Sequence, residues 1–170
     1  MVMSQWASGF AESALQIPKE LGDLLGPGAF ALMMGIARLL YGKFSNYVNL
    51  RHWMMAGCVL CALSYLIAAF APIPALSLIG CALCGFSVGV FWPGILSQAS
   101  EALPTGGMVM FAVLALFGDI GCLAGPSMAG GIADALGGNL RFAFCFATVF
   151  PLLCLVALII LSKQRKKKER

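Results

Sequence analysis

Charge is what this 170-residue chain lacks. Charged side chains make up 11% of it, and seven of them fall in the last eight residues, Lys163 to Arg170. Only 11 remain for the 162 positions before that run, where an ordinary soluble domain is roughly one-quarter charged. With 61% hydrophobic side chains, a water-soluble fold of this size would present a nearly continuous apolar surface. Composition also excludes collagen-like, disordered and disulfide-scaffold classes. Histidine is nearly absent. His52 stands alone in a connecting loop, which excludes a histidine-based metal site or catalytic triad inside a membrane. Basic residues are missing from the first 18 positions, so the start does not read as a signal peptide, which opens on positive charge and closes on a small-residue cleavage site. The chain belongs in a lipid bilayer.

What is present is a series of apolar runs separated by punctuation. A span needs about 20 mostly apolar residues, and the sequence divides into six segments near 1–17, 24–44, 53–71, 75–99, 108–135 and 140–161. Pro18-Lys19-Glu20, Pro72-Ile73-Pro74, Pro104-Thr105-Gly106-Gly107 and Gly137-Gly138-Asn139 mark connections between them, because proline removes a helix donor and glycine loosens the backbone. The expected architecture is all-α and integral to the membrane: five full transmembrane helices plus one truncated N-terminal helix (residues 1–162), then a basic tail (163–170). The first segment is short and holds Glu12. It reads as the outer end of a spanning helix whose beginning lies outside this chain.

Lys and Arg placement orients the bundle. With alternating crossings, one side holds Arg38, Lys43, Arg51 and the six basic residues of the tail, while the other holds Lys19 and Arg141. Cytoplasmic loops carry the basic excess, so the C-terminus is expected in the cytoplasm, with the protein in the cell membrane. Arg38 lies about one turn inside its helix end, within snorkelling reach of the interface, which would leave no basic residue stranded at depth. The polybasic run directly follows a span, where it contacts anionic lipid rather than nucleic acid.

Asp119 is the exceptional residue. Twelve positions into the fifth segment, at about 1.5 Å per residue, it falls near mid-bilayer. Placing a carboxylate there costs about 2.5–3.5 kcal/mol even on lenient scales, so it should face the bundle interior or a water-filled cavity. Ala112, Ala115, Asp119, Cys122, Pro126, Gly130 and Ala133 recur at helical spacing and form a strip of small residues centred on the acid. Two readings stand: solute hydrogen bonding or proton carriage, and an aspartate bonded to a neighbouring helix backbone near a glycine break.

Glycine and proline inside spans form a second signal. Gly26-Pro27-Gly28, Pro93-Gly94, Gly125-Pro126 and Pro151 read as helix interruptions, the kind that transporters rocking about a central site display and that proline kinks in a static bundle also produce. Gly85/Gly89 and Gly121/Gly125 are both GxxxG pairs, which permit close helix approach. Gln5 and Trp6 suit either a cavity wall, with an amide for hydroxyls and an indole for stacking, or an interfacial anchor. Cys58-x-x-Cys61 and Cys81-x-x-Cys84 have the spacing of a zinc ribbon. Inside apolar helices, however, their thiolates would be desolvated and lack polar support, so they read as small buried hydrophobes. No metal or other cofactor is expected, and one acid at depth without a nucleophile–base pair argues against an enzyme.

Taken together, these features resemble the C-terminal half of a major facilitator superfamily transporter. Gly35 to Lys43 (GIARLLYGK) resembles the second copy of that family's loop motif at Gly35, Gly42 and Lys43, with Leu39 and Leu40 in place of its charged pair. Gly121 to Gly131 (GCLAGPSMAGG) is similar to the Gly-Pro helix motif of exporters, with one extra residue before the last glycine pair. Phe91 to Ser97, with Ser4 to Ser8, looks most like the fucose-permease branch of sugar porters. The resemblance implies proton-coupled, alternating-access movement of a small polar solute such as a sugar or polyol. Gln5, Trp6, Trp92 and Asp119 would line the cavity, with Asp119 as the proton site, and Gly26, Pro27, Pro93, Gly94, Gly125 and Pro126 would act as breaks or gates. The implied partners are the bilayer, the solute, and either a missing N-terminal six-helix half or a second membrane chain. The alternative, from a different class, is a half-length membrane interaction protein without transport.

Overall fold

In the computed structural model, residues 2–4, 19–71, 74–138 and 140–168 are described. Among them there are helices and turns and no strand. The long helices run α1 (Lys19–Phe44), α2 (Leu50–Phe70), α3 (Pro74–Val88), α4 (Phe91–Ala102), α5 (Gly107–Ala135), α6 (Leu140–Ala147) and α7 (Val149–Lys168). Four stretches are long and apolar enough to cross a membrane: Leu50–Phe70, Leu76–Ala102, Gly107–Ala135 and Arg141–Gln164. The second of these joins α3 to α4 and the fourth joins α6 to α7, so each is a single span broken along its length.

Local chemistry sets the boundaries. The Asn49 side chain accepts from the Arg51 backbone N–H at 3.0 Å and caps α2, satisfying one of the donors a helix start leaves free. Gly137 and Gly138 adopt φ of 73° and 80°, a left-handed conformation that glycine takes without steric cost. They turn the chain out of α5 while the Gly138 N–H closes on the Ala133 carbonyl at 2.8 Å.

The four proline sites behave differently from one another. Breaks fall at Gly89-Val90, ahead of Pro93, and at Thr148, ahead of Pro151. In both cases proline enters the first turn of the following helix, where its missing N–H is tolerated. By contrast α1 runs unbroken through Pro27 and α5 through Pro126. The expected interruptions at Gly26-Pro27 and Gly125-Pro126 are therefore not breaks. One lost backbone bond does not end a helix whose remaining ladder is intact and whose neighbours hold it.

Helix α2 is central, packing on α3, α6 and α7, while α1 packs on α3. The core is made of small side chains: Cys61, Ala68, Ala69, Cys81, Cys84, Ala129, Ala133, Ala143 and Ala147, joined by Phe30, Tyr65 and Phe144. Tyr65 and Phe144 meet ring to ring, 6.3 Å apart, tying α2 to α6. Large apolar side chains point outward instead, including Leu24, Leu39, Phe70, Met108 and Leu123. That inversion is what lipid selects. Leucine gains nothing by leaving hydrocarbon, so helices associate through close contact of small residues.

Closest of all is the α3 seam. A Cβ on Gly85 would overlap the Phe30 backbone carbonyl, one on Gly89 would stand 2.8 Å from the Met34 carbonyl oxygen, and one on Gly80 would stand 3.0 Å from the Ser64 carbonyl oxygen. Glycines at these three positions let α3 lie between α1 and α2 with backbones nearly touching.

Candidate functional site

The break in the span Leu76–Ala102 organises the site. In a continuous helix the Gly89 carbonyl would accept from the N–H four residues on, but that residue is Pro93, which has none. Its acceptor is met from another helix: Arg38 Nε of α1 donates to it at 2.9 Å. Arg38, expected from its sequence position only to reach toward the interface, thus also has a partner on a neighbouring helix. Helical side chains lean toward their own N-terminus, and the freed carbonyl supplies a fixed acceptor in that direction.

One turn beyond Gly89, Trp92 is 43% exposed, and its ring lies on α5: an ideal Cβ on Gly118 would be 3.0 Å from Trp92 Cζ3. The next residue is Asp119. It is exposed and makes no hydrogen bond or ion pair among the described residues. The structure thus places Trp92 against the residue before Asp119, and separately ties Arg38 to the break that precedes Trp92. The signal that identifies Arg38 was present: an arginine inside an apolar run, and a proline four residues after a glycine in another.

The other predicted residues fall elsewhere. Gln5 and Trp6 lie outside the described residues. Gly26 is buried and Pro27 half-buried within α1. Pro93 is exposed, whereas Gly94 is buried, with a Cβ there 2.7 Å from Met54 Sδ; Gly94 is a packing position of α4 on α2. Gly125 and Pro126 are buried, Gly125 facing Val2 at 3.4 Å. The strip of small residues on α5 is therefore split. Its end from Gly125 to Ala133 is packed, while no residue from 107 to 124 is buried.

Two further features escaped the sequence reading. A cavity of about 620 Å³ opens at the end of the bundle that bears the basic tail, lined by Arg51, Gln98, Glu101 and Gln164 over Met54 and Leu158. Gln98 Nε2 reaches Met54 Sδ at 2.9 Å, and Arg51 Nε is enclosed without a hydrogen-bond partner among the described residues. These residues come from α2, α4 and α7, and no local spacing announces their convergence. The two C-x-x-C motifs also meet, with Cys61 Sγ and Cys84 Sγ 3.9 Å apart between α2 and α3. Among the described residues no group of three or more His, Cys, Asp or Glu is arranged to hold a metal.

Chemically, the described residues offer a cation bonded to the Gly89 carbonyl and, on α4 and α5, an indole and a carboxylate that are both exposed. A profile of the Major Facilitator Superfamily matches residues 2–170. No curated protein and no solved structure matches the chain.

Proposed function

Since the chain belongs to the Major Facilitator Superfamily and moves a solute across a membrane, we propose that it is the C-terminal bundle of a proton-coupled importer of a small polar solute of the sugar or polyol type. The observation that carries this reading is Asp119: an exposed carboxylate, unpaired among the described residues, within a long apolar helix and next in sequence to the glycine on which Trp92 rests. An acid kept at such a position is costly, and functional use is the default explanation.

In this reading the solute stacks on Trp92 and hydrogen-bonds to Asp119, with Gln5 and Trp6 contributing from the first segment. Asp119 gains a proton on one side of the membrane and releases it on the other as the bundle rocks. The Gly89-Val90 break lets α4 tilt without pulling α3 off its glycine seam, because Arg38 already satisfies the carbonyl that bending would expose. The cavity is completed by a six-helix N-terminal half or by a second membrane chain. The basic tail faces the cytoplasm of the cell membrane and touches anionic lipid.

The test is Asp119→Asn in the full-length protein, reconstituted in vesicles with an imposed pH gradient. Gradient-driven accumulation of solute is expected to fall to background with the melting midpoint unchanged. Undiminished accumulation would remove Asp119 from the mechanism. A second reading, a membrane interaction protein without transport, is supported by the uncovered face of α5. It predicts a stable complex with a second membrane chain in mild detergent, with no accumulation of solute in any variant.

A further inference from the structure

The cavity at the basic end of the bundle has no part in the transport reading, and its lining points to a ligand of its own. We infer that it is a binding site for one anionic phospholipid, whose phosphate is held by Arg51 and whose headgroup hydroxyls meet Gln98, Glu101 and Gln164.

Level is the first argument. Three of the four membrane-length stretches have an end at this cavity: Leu50–Phe70 begins one residue before Arg51, Leu76–Ala102 finishes on Glu101 and Ala102, and Arg141–Gln164 finishes on Gln164. The end of an apolar stretch marks the edge of the hydrocarbon, so this polar lining stands where lipid headgroups lie. The apolar lining, Met54, Ile95 and Leu158, is set further into the same stretches, and Ile95 also belongs to the outward apolar surface. A ligand charged at one end and hydrocarbon at the other matches that division.

Unspent hydrogen-bonding capacity is the second. The Arg51 side chain is half-buried, and its Nε is shut off from solvent with no acceptor among the described residues. A buried donor left unmet is costly. A guanidinium offers five N–H groups in a fork that fits phosphate through paired bonds, and a phosphate entering beside it supplies the acceptor that these residues do not. Gln98 is spent almost as poorly: its amide N–H reaches the Met54 thioether at 2.9 Å, a weak acceptor. The volume, about 620 Å³, lies within the range of small-molecule sites.

Charge is the third. Gln164, which lines the cavity with Arg51, lies within the basic run Lys163 to Arg170. Juxtamembrane basic residues attract anionic headgroups, and basic pockets between helices hold them. Glu101 is the one acid among the described lining residues, and it decides the kind of anion. A carboxylate repels a bare anion yet accepts from hydroxyl groups, so a glycerol headgroup, a phosphate diester carrying two hydroxyls, fits better than inorganic phosphate. Diffuse attraction by the tail would gather many lipids, whereas this site holds one in a fixed place.

Native mass spectrometry of the delipidated full-length protein in detergent micelles counts bound lipids directly. Titration compares phosphatidylglycerol with phosphatidylcholine of the same chain length. One tightly held phosphatidylglycerol is expected, preferred over phosphatidylcholine by about tenfold or more. Arg51→Gln should abolish that preference and Arg51→Lys should keep part of it. Ala99→Phe, at another lining position, should exclude the lipid by filling the cavity without changing a charge. Melting midpoints taken before lipid is added identify a variant that fails to fold, and the other variant then carries the test. Replacing Lys166, Lys167 and Lys168 by Gln should reduce the further lipids bound and leave the first in place. Equal affinity for the two lipids overturns the proposal, as does a preference that survives both Arg51→Gln and Ala99→Phe or is lost only with the tail lysines. Inorganic phosphate and glycerol 3-phosphate at matched concentration should not displace the lipid. Complete displacement by either would assign Arg51 to a soluble phosphate and overturn the lipid. None of these outcomes bears on the transport reading, because no solute takes part.

Discussion

Two identical motifs meet opposite fates in this molecule. Gly85/Gly89, at the end of α3 and in the break that follows it, and Gly121/Gly125 on α5 are both GxxxG pairs within long apolar spans. The first pair is a true seam: added Cβ atoms would strike the Phe30 carbonyl, the Met34 carbonyl and the Ala37 side chain. The second meets almost nothing, Gly121 having open space to 4 Å and Gly125 only the Val2 methyl at 3.4 Å. A pair of small residues permits close approach without compelling it. What decides is whether a neighbour offers a matching groove, and α3 has one on each side, from α1 and α2, where α5 at Gly121 has none among the described residues. The same contrast explains why Asp119 stays exposed four positions after Ala115 while Ala133 is buried further along the same helix.

The largest effect that sharpens this contrast is expected from Gly85→Ala. The obstructing atoms belong to the α1 backbone, which cannot move aside like a flexible side chain, so α1 must separate from α3. Overpacking costs typically about 1–3 kcal/mol and occasionally more, and backbone contact puts this substitution at about 3 kcal/mol. Thermal unfolding of the protein in nanodiscs should show a large drop in midpoint. A change within error would mean that the seam is looser than its geometry. Gly89→Ala comes next, at about 1–2 kcal/mol, because part of its obstruction is the Ala37 methyl, 2.8 Å away. It should also shift the Gly89 carbonyl from Arg38. Combining Gly89→Ala with Arg38→Gln should therefore cost less than the sum of the two changes, since one bond is lost only once.

Much of this architecture was legible because the bilayer imposes few choices. Scarce charge, run length and proline punctuation lead to an all-helical membrane bundle, and the family profile agrees. Asp119 stands out in the sequence for the same reason, as an acid where acids are expensive, and the structure adds only that it is exposed. The bond from Arg38 to Gly89 was not legible because it depends on a residue 55 positions later, Pro93, whose missing donor sequence periodicity cannot connect to a side chain on another helix. The basic-end cavity was illegible on similar grounds, as Arg51, Gln98 and Gln164 belong to three helices. Helical wheels also treated α5 as uniform along its length. A wheel reports which residues share a face, and it carries no information about where along that face a neighbour begins.

The smallest expected effect is the most informative about the open face. Gly121→Ala meets no atom within 4 Å and replaces the less favourable helix former with the better one, so it should stabilise the protein by about 0.4–1 kcal/mol. Gly125→Ala, in ordinary contact with Val2, should be nearly neutral, within about 0.5 kcal/mol. Both values are read from the thermal midpoint of the purified protein in nanodiscs. The sign at Gly121 depends on what covers it. If a second chain seats its own helix on this part of α5, the added methyl enters that contact, and Gly121→Ala becomes destabilising in the assembled protein while remaining stabilising in the chain alone. Measuring both forms converts one methyl group into a probe of the interface. Stabilisation of equal size in both would place the partner's helix elsewhere and leave the face around Gly121 to lipid or solute.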